Sequence, residues 1–492
     1  MEARNIFQNI SPIDHRYSIS EKDVFDALAP WLSEEASIAA CVTAETALVA
    51  AHLEIRGSFT PELREGLEKA GASVEAAEVY AEEEKTRHSI RALVNVLKTR
   101  VPPETAHLVH LGATSVDILD TALSWRIRGA VREALVPRLK KLELLLCGIA
   151  EREAETPQVG RTHGQHAVPI TVGFALAEYV SRLGKSIQEI ERLAGQLRGK
   201  LSGAVGAYNA VSMIMRDPED LERRYLEALG LEPPEHATQL VEPEYLLRLL
   251  LEINLAFGVI ANLADDMRNL QRTEIGEFQE GFAADQVGSS TMPQKRNPWN
   301  SEHVKSLWKA FMPRVVTFYM DQISEHQRDL TNSASQRFIA DYLTGFCLAV
   351  NRMAAVIEGF GLDRERLLAN LRAGGNGRAD KIPGAAVSGG ILAEPAYILL
   401  AEAGVSDAHE VIRRVTLRAE KERLTFAEAL SGEKEVFDRI AGKMAELGIA
   451  SSQAEVRAFF ERPEQYRGLS VKKAKSIAAK YKKLFGTAAM EN

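Results

Sequence analysis

The sequence predicts an all-α protein whose long helices form a central bundle, and three observations carry that prediction. Apolar residues recur at helical spacing over long stretches poor in proline, strand-like alternation of β-branched residues is scarce, and aromatic residues make up only 7% of the 492.

Along the chain, the helical pattern first breaks at residues 100–110, where RVPPETAH intervenes, so residues 1–109 read as an N-terminal helical domain. Residues 110–360 read as a central long-helix domain, with helical stretches from Leu119 to Glu155, Thr171 to Lys200, Pro243 to about Glu280, Asn300 to Glu325 and Gln336 to Phe360. The third is the clearest, because apolar residues fall at 249, 253, 256, 260, 263, 267 and 270. A helix of that length spans roughly 55 Å. Leu246, Leu247, Leu250, Leu251 and Phe257 lie off the stripe, so its first half is apolar nearly all round and asks for partners on more than one side. A lone bundle of such helices leaves apolar faces in water, which predicts self-association through the long helices.

The second boundary falls near 360, at GFGL, and residues 361–492 read as a C-terminal helical domain. The connector at 374–390, GGNGRADKIPGAAVSGG, lacks the glycine spacing of a dinucleotide fingerprint and the Gly-Lys-Ser/Thr end of a P-loop. It reads as a flexible linker, with a ligand loop as the alternative. From Arg467 onward seven Lys or Arg residues fall on a helical pattern, which suits a solvated basic face.

Composition narrows the function classes. With 46% hydrophobic and 26% charged residues the chain can bury a large core, while a net charge of −8 offers no footprint for nucleic acid or an anionic membrane. No run of about 18 uncharged apolar residues occurs, and MEARNIFQNISPIDHRYS has neither the basic flank nor the apolar centre of a signal peptide, so the expected location is the cytoplasm. Cys41, Cys147 and Cys347 stand far apart in apolar helical patterns, as core side chains of a reducing compartment do.

One stretch departs from this regularity. Residues 285–298 read DQVGSSTMPQKRNP, in which Gly288 permits unusual backbone angles, Pro293 and Pro298 stiffen the exit, and Asn300 or Ser301 caps the helix that follows. Such a loop suits closure over a negative ligand, and a solvated surface turn has the same composition. RTHGQHAVP at 161–169 sets His163 and His166 three apart, and HLGATSVDILDTA at 110–122 offers Thr114, Ser115 and Asp117 before a long helix, the Thr-Ser pair as ligand groups or as mere caps. The histidine pair has no third ligand at a usual spacing, so no metal is expected, and no strand-turn-helix context supports a serine hydrolase.

GSSTMPQKRNP closely resembles the signature of the fumarase/aspartase superfamily, whose members break C–N or C–O bonds by β-elimination and usually release fumarate. Within it the chain is most similar to the adenylosuccinate lyase family, through HRYSIS, EKTRHSIRA, HLGATSVDILDTA, GRTHGQHAVP, KLSGAVGAY, TQLVEPE, NLQRTEIGEF and QRDLTNSASQR in the same order. The likeness implies a cofactor-free lyase of three helical domains in a homotetrameric helical core. Its substrates would be adenylosuccinate and the succinylaminoimidazole-carboxamide ribotide of purine biosynthesis. It also implies roles. Ser289 is the base, Lys295 and Asn297 steady the carboxylate charge, His163 is the general acid and Glu302 orients it. Arg16, Tyr17, Arg87, His88, Thr114, Ser115, Gln239, Arg328, Ser333 and Arg337 fall on ligand positions.

Three departures from the family pattern bear on nucleotide recognition. His88-Ser89 stands where the family commonly has His-Asp, His303 where it has an arginine, and ILAEPAY at 391–397 where many relatives carry a Ser-Glu-Arg type motif. The rival expectations are a superfamily lyase or cycloisomerase acting on argininosuccinate or carboxymuconate, and a catalytically silent helical scaffold.

Overall fold

The computed structural model describes residues 5–282, 288–373 and 390–486. The connector up to Gly389 and loop residues 285–287 lie outside the described residues. The helices in chain order are α1 (Lys22–Leu32), α2 (Glu34–Ile55), α3 (Pro61–Ala72), α4 (Ala76–Thr86), α5 (Ser89–Lys98), α6 (Ser115–Gly129), α7 (Val136–Arg152), α8 (Val172–Gly195), α9 (Pro218–Ala228) and α10 (Glu244–Leu270). There follow α11 (Trp299–Phe311), α12 (Arg314–Met320), α13 (Ile339–Glu358), α14 (Arg364–Ala373), α15 (Ala393–Glu402), α16 (Ala408–Glu422), α17 (Phe426–Gly432), α18 (Lys434–Glu446), α19 (Gln453–Glu461) and α20 (Ser470–Gly486). The fold is helical, as predicted.

The described residues gather into two compact units. The first takes residues 1–141, 185–261 and 303–352, and the second 142–184, 262–302 and 353–492. Boundaries fall inside α7, α8, α10, α11 and α13, so this partition differs from a division by chain order at 109 and 360. The core of the first unit gathers around α2, with Leu48, Leu93, Leu97, Ile118 and Tyr225 buried. In the second, Leu371, Phe426, Ile440, Met444 and Phe460 form a separate core.

The predicted stripe on α10 is real: Leu249, Ile253, Ala256, Ile260, Leu263 and Met267 are at most 2% exposed. Leu250 and Phe257, off the stripe, are buried too, at 1% and 0%. Much of the all-round apolarity that predicted self-association is therefore satisfied within the chain. Two predicted helices are shorter than expected. The stretch from Pro243 stops at Leu270, before Gly276 turns the chain at φ 63°, and the stretch from Asn300 breaks at Pro313, which has no N–H to continue the ladder. Lys22–Ile55 and Glu244–Leu270 are long and apolar enough to cross a membrane by length and composition, yet 56% of each apolar window is buried in the protein, as in a core helix.

Sequence periodicity missed two small antiparallel sheets. Strand β1 (Pro157–Thr162) pairs with β2 (Gln165–Thr171), and β3 (Phe278–Gln279) with β4 (Gly361–Leu362). The first is a hairpin whose two-residue tip, His163-Gly164, has φ of 55° and 72°, as a type I′ turn requires. Val159, 1% exposed, roots the hairpin in the core of the second unit.

Candidate active site

In the second unit the signature loop folds back on itself. A Cβ on Gly288 would lie 2.2 Å from the Lys295 carbonyl oxygen, so only glycine fits there, and the Asn297 amide donates to the Gly288 carbonyl at 3.0 Å. Within this turn Ser289 Oγ accepts the backbone N–H groups of Met292 (3.1 Å) and Thr291 (3.3 Å). Two amide dipoles aimed at one hydroxyl oxygen favour negative charge on it. The Lys295 side chain is exposed. His163 stands exposed at the hairpin tip and Glu302 exposed in the first turn of α11, and no hydrogen bond joins the two.

The first unit gathers the other predicted residues into smaller groups. Tyr17 Oη lies 3.1 Å from His303 Nε2, with ring centroids 5.8 Å apart. Burial, then the Arg352 and Arg16 cations, hold the His303 imidazole below its ordinary 6.5, against the opposing pull of Glu21. Glu21 in turn takes Arg352 at 2.8 Å. Elsewhere, Arg328 donates to Gln239 at 3.3 Å, which joins two predicted ligand residues 89 positions apart. Ser333 and Arg337 are exposed near that segment's end. Arg87 and His88 form the joint between α4 and α5. Arg87 is left-handed at φ 57°, and His88 caps α5 by accepting the Arg91 N–H at 3.3 Å, so Ser89 becomes the helix's first residue.

Thr114 caps α6, whose first residue is Ser115, and donates its N–H to Asp117 at 2.8 Å. Asp117 is fully buried, ion-paired with the equally buried Lys200, and accepts the N–H groups of Ser202 and Gly203 at 3.2 Å. The capping reading of Thr114 thus holds locally, and the same carboxylate fastens KLSGAVGAY to the helix start.

Three features escaped the sequence. His110, left-handed at φ 64°, bonds the buried Glu45 at 2.7 Å. Asp120 accepts the Val241 N–H at 3.0 Å, two residues from Gln239, and burial pushes its carboxyl up to about 6. Among the described residues six non-glycine positions have positive φ, and Arg87, His110 and His163 are three of them. Such strain costs on the order of 1–2 kcal/mol per residue and collects where function demands it. Motif spacing alone gives no sign of it. ILAEPAY, by contrast, packs into the second unit's core, with Leu392 and Ala396 at 0% exposure.

Comparison with known proteins decides the family. Residues 18–310 match the family described as Lyase. The chain belongs to this lyase family of the fumarase/aspartase superfamily. It is 33% identical to the adenylosuccinate lyase of Pyrococcus horikoshii over 87% of this chain and 91% of that one. To the adenylosuccinate lyase of Archaeoglobus fulgidus it is 31% identical, over 83% and 87%. In fold it is similar to the 3-carboxy-cis,cis-muconate lactonizing enzyme of Pseudomonas putida, with a TM-score of 0.76 at 24% identity, covering 94% of this chain and 98% of that one. As a member of this lyase family the chain is a lyase enzyme.

Proposed function

We propose that this lyase splits adenylosuccinate into AMP and fumarate, and the succinylaminoimidazole-carboxamide ribotide likewise, as a soluble homotetramer of the cytoplasm. The observation that carries the reading is the pair of N–H groups on Ser289 Oγ. A carbon acid beside a carboxylate needs a strong base, and two fixed donors lower the cost of an alkoxide. Ser289 takes the proton from the carbon next to the succinyl carboxylate, and the electron pair spreads into that carboxylate as a doubly charged aci-carboxylate. Lys295 and the remaining N–H of Asn297 stabilise that charge. The C–N bond then breaks with its electrons passing to nitrogen, which takes a proton from His163, and Glu302 orients and charges the imidazole. Arg16, Tyr17, Arg87, His88, Ser89, Thr114, Ser115, Gln239, His303, Arg328, Ser333 and Arg337 hold the nucleotide and carboxylates, with the arginine forks on phosphate and carboxylate oxygens.

Tetramer formation is supported by the exposed apolar side chains of Val316, Tyr319, Met320, Ile323, Leu330 and Phe338. In this assembly one site draws on several subunits, which is consistent with His163 and Glu302 lacking a mutual bond within one chain. No metal or other cofactor enters the scheme. The test offers purified protein adenylosuccinate, argininosuccinate and carboxymuconate separately, and follows fumarate or lactone. Fumarate from argininosuccinate alone overturns the proposal, and so does a failure to turn over adenylosuccinate.

A further inference from the structure

Segment 277–280, Glu-Phe-Gln-Glu, grips two elements at once. The Glu277 carboxylate, 0% exposed, accepts Gln158 (2.9 Å), Asn370 (2.9 Å) and both terminal nitrogens of Arg161 (2.5 and 3.1 Å). Gln158 and Arg161 belong to β1, and Arg161 sits two residues before His163, so Glu277 fastens the first strand of the hairpin from near its start to just short of its tip. Three residues on, the Glu280 carboxylate accepts the backbone N–H groups of Ser301 (2.7 Å) and Asn300 (3.2 Å) in the first turn of α11. The Glu280 N–H itself goes to Gln271 Oε1 at 2.9 Å, and the Gln271 amide donates to the Arg296 carbonyl at 3.3 Å. Together these bonds close the neck of the signature loop.

The segment between the two carboxylates is itself fixed. Strand β3 pairs with β4, Phe278 is 2% exposed with its ring centroid 4.8 Å from that of Phe360, and the Glu277 carbonyl accepts the Asp363 N–H at 3.1 Å. The elements it holds have little packing of their own. Thr162 to Gln165 at the hairpin tip and Ser290 to Arg296 in the loop are exposed. Their positions are therefore set by the residues that flank them.

We infer that Glu277 and Glu280 are positioning residues for the elimination, one short segment fixing both the hairpin that carries His163 and the loop that carries Ser289. The inference rests on the functional reading above, which places the chemistry on those two elements. A reacting group displaced by about 1 Å loses on the order of a hundredfold in rate, so a base that fixes such a group matters to turnover without touching substrate.

Hydrogen exchange read by mass spectrometry, with steady-state kinetics on the same full-length preparations, tests this. Glu280→Ala should speed exchange across 288–301 while leaving 157–171 as in the wild type, and lower kcat at least ~10-fold with KM changed less than ~3-fold. Glu280→Gln keeps an acceptor for the Ser301 N–H and should recover most of that loss. Glu277→Gln weakens the Arg161 contact and should give the converse pattern, with the hairpin faster and the loop unchanged. Unchanged exchange in both segments overturns the bracing whatever the substrate. Faster exchange with unchanged kcat, or Glu280→Gln no better than Glu280→Ala, overturns the positioning role. A wild type inactive on adenylosuccinate sinks the functional reading instead, and the exchange pattern alone then decides whether the segment holds the two elements.

Discussion

Replacing Glu143 with glutamine should stabilise this protein, and by more at pH 8 than at pH 5. Glu143 lies on α7 at 0% exposure, and neither carboxyl oxygen has a hydrogen-bond partner. A Cβ placed on Gly184 would come within 2.3 Å of the Tyr481 ring and 2.8 Å of Glu143 Oε1, so α8 and α20 close directly over the carboxyl. Burial, the sole cause, pushes it from an ordinary 4.5 up to about 9. The folded chain therefore keeps a proton that the unfolded chain releases. Between pH 4.5 and about 9 the folded state binds more protons than the unfolded one, and stability falls as pH rises through that window. Each unit costs about 1.4 kcal/mol, so between pH 5 and pH 8 the wild type loses on the order of 4 kcal/mol. Glutamine cannot ionise and loses none of it. Urea unfolding followed by circular dichroism at pH 5, 6, 7 and 8, at fixed protein concentration, reads the gap between the two proteins. A gap independent of pH would refute the reasoning, since it would mean that Glu143 is charged and paired in the folded chain.

Ser289→Ala should abolish turnover while leaving unfolding free energy within about 0.5 kcal/mol, because an exposed loop has little packing to lose; more than a small residual rate would remove Ser289 from the base role. His303 carries charge for the phosphate only when protonated, and burial with Arg352 and Arg16 holds its titration below 6.5, so kcat/KM for adenylosuccinate should contain a limb falling with pH on the acid side of that value. His303→Arg should remove that limb, and a profile left unchanged would place the residue away from the phosphate. Ser289→Ala and His163→Ala, each inactive alone, should regain activity when unfolded and reassembled as a mixture, in proportion to hybrid tetramers. Verified hybrids as inactive as their parents would mean that both residues serve the same site from one subunit.

Much of the fold was legible because it is local. The stripe from Leu249 to Met267 reads directly as a buried helix face, and Pro313 marks a break that a reading of apolar spacing alone passes over. The hairpin was illegible by periodicity: β1 is six residues long, interrupted by a register shift between Val159 and Arg161, and buries too few β-branched residues to alternate visibly. Its one local sign is the two-residue His163-Gly164 tip, a turn signal that the motif around it obscured. Candidates for the proposed site were nameable where a motif carried them, as with Ser289 and His163. Glu45, Glu277 and Glu280 were not, because the carboxylate of each acts on a partner at least 20 residues away. Sequence spacing holds no record of such pairings.

The left-handed residues have a consequence for anyone who engineers this chain. Arg87, His110 and His163 occupy backbone that glycine or asparagine adopts more readily. A procedure that ranks substitutions by folding free energy will therefore score the exchange of each for glycine or asparagine as neutral or favourable. Applied at position 163, it would erase an imidazole to relieve a strained turn. On the roles proposed for Arg87 and His163, stabilisation has to hold those two positions fixed and seek its gains at sites such as Glu143, which has no part in the proposed chemistry.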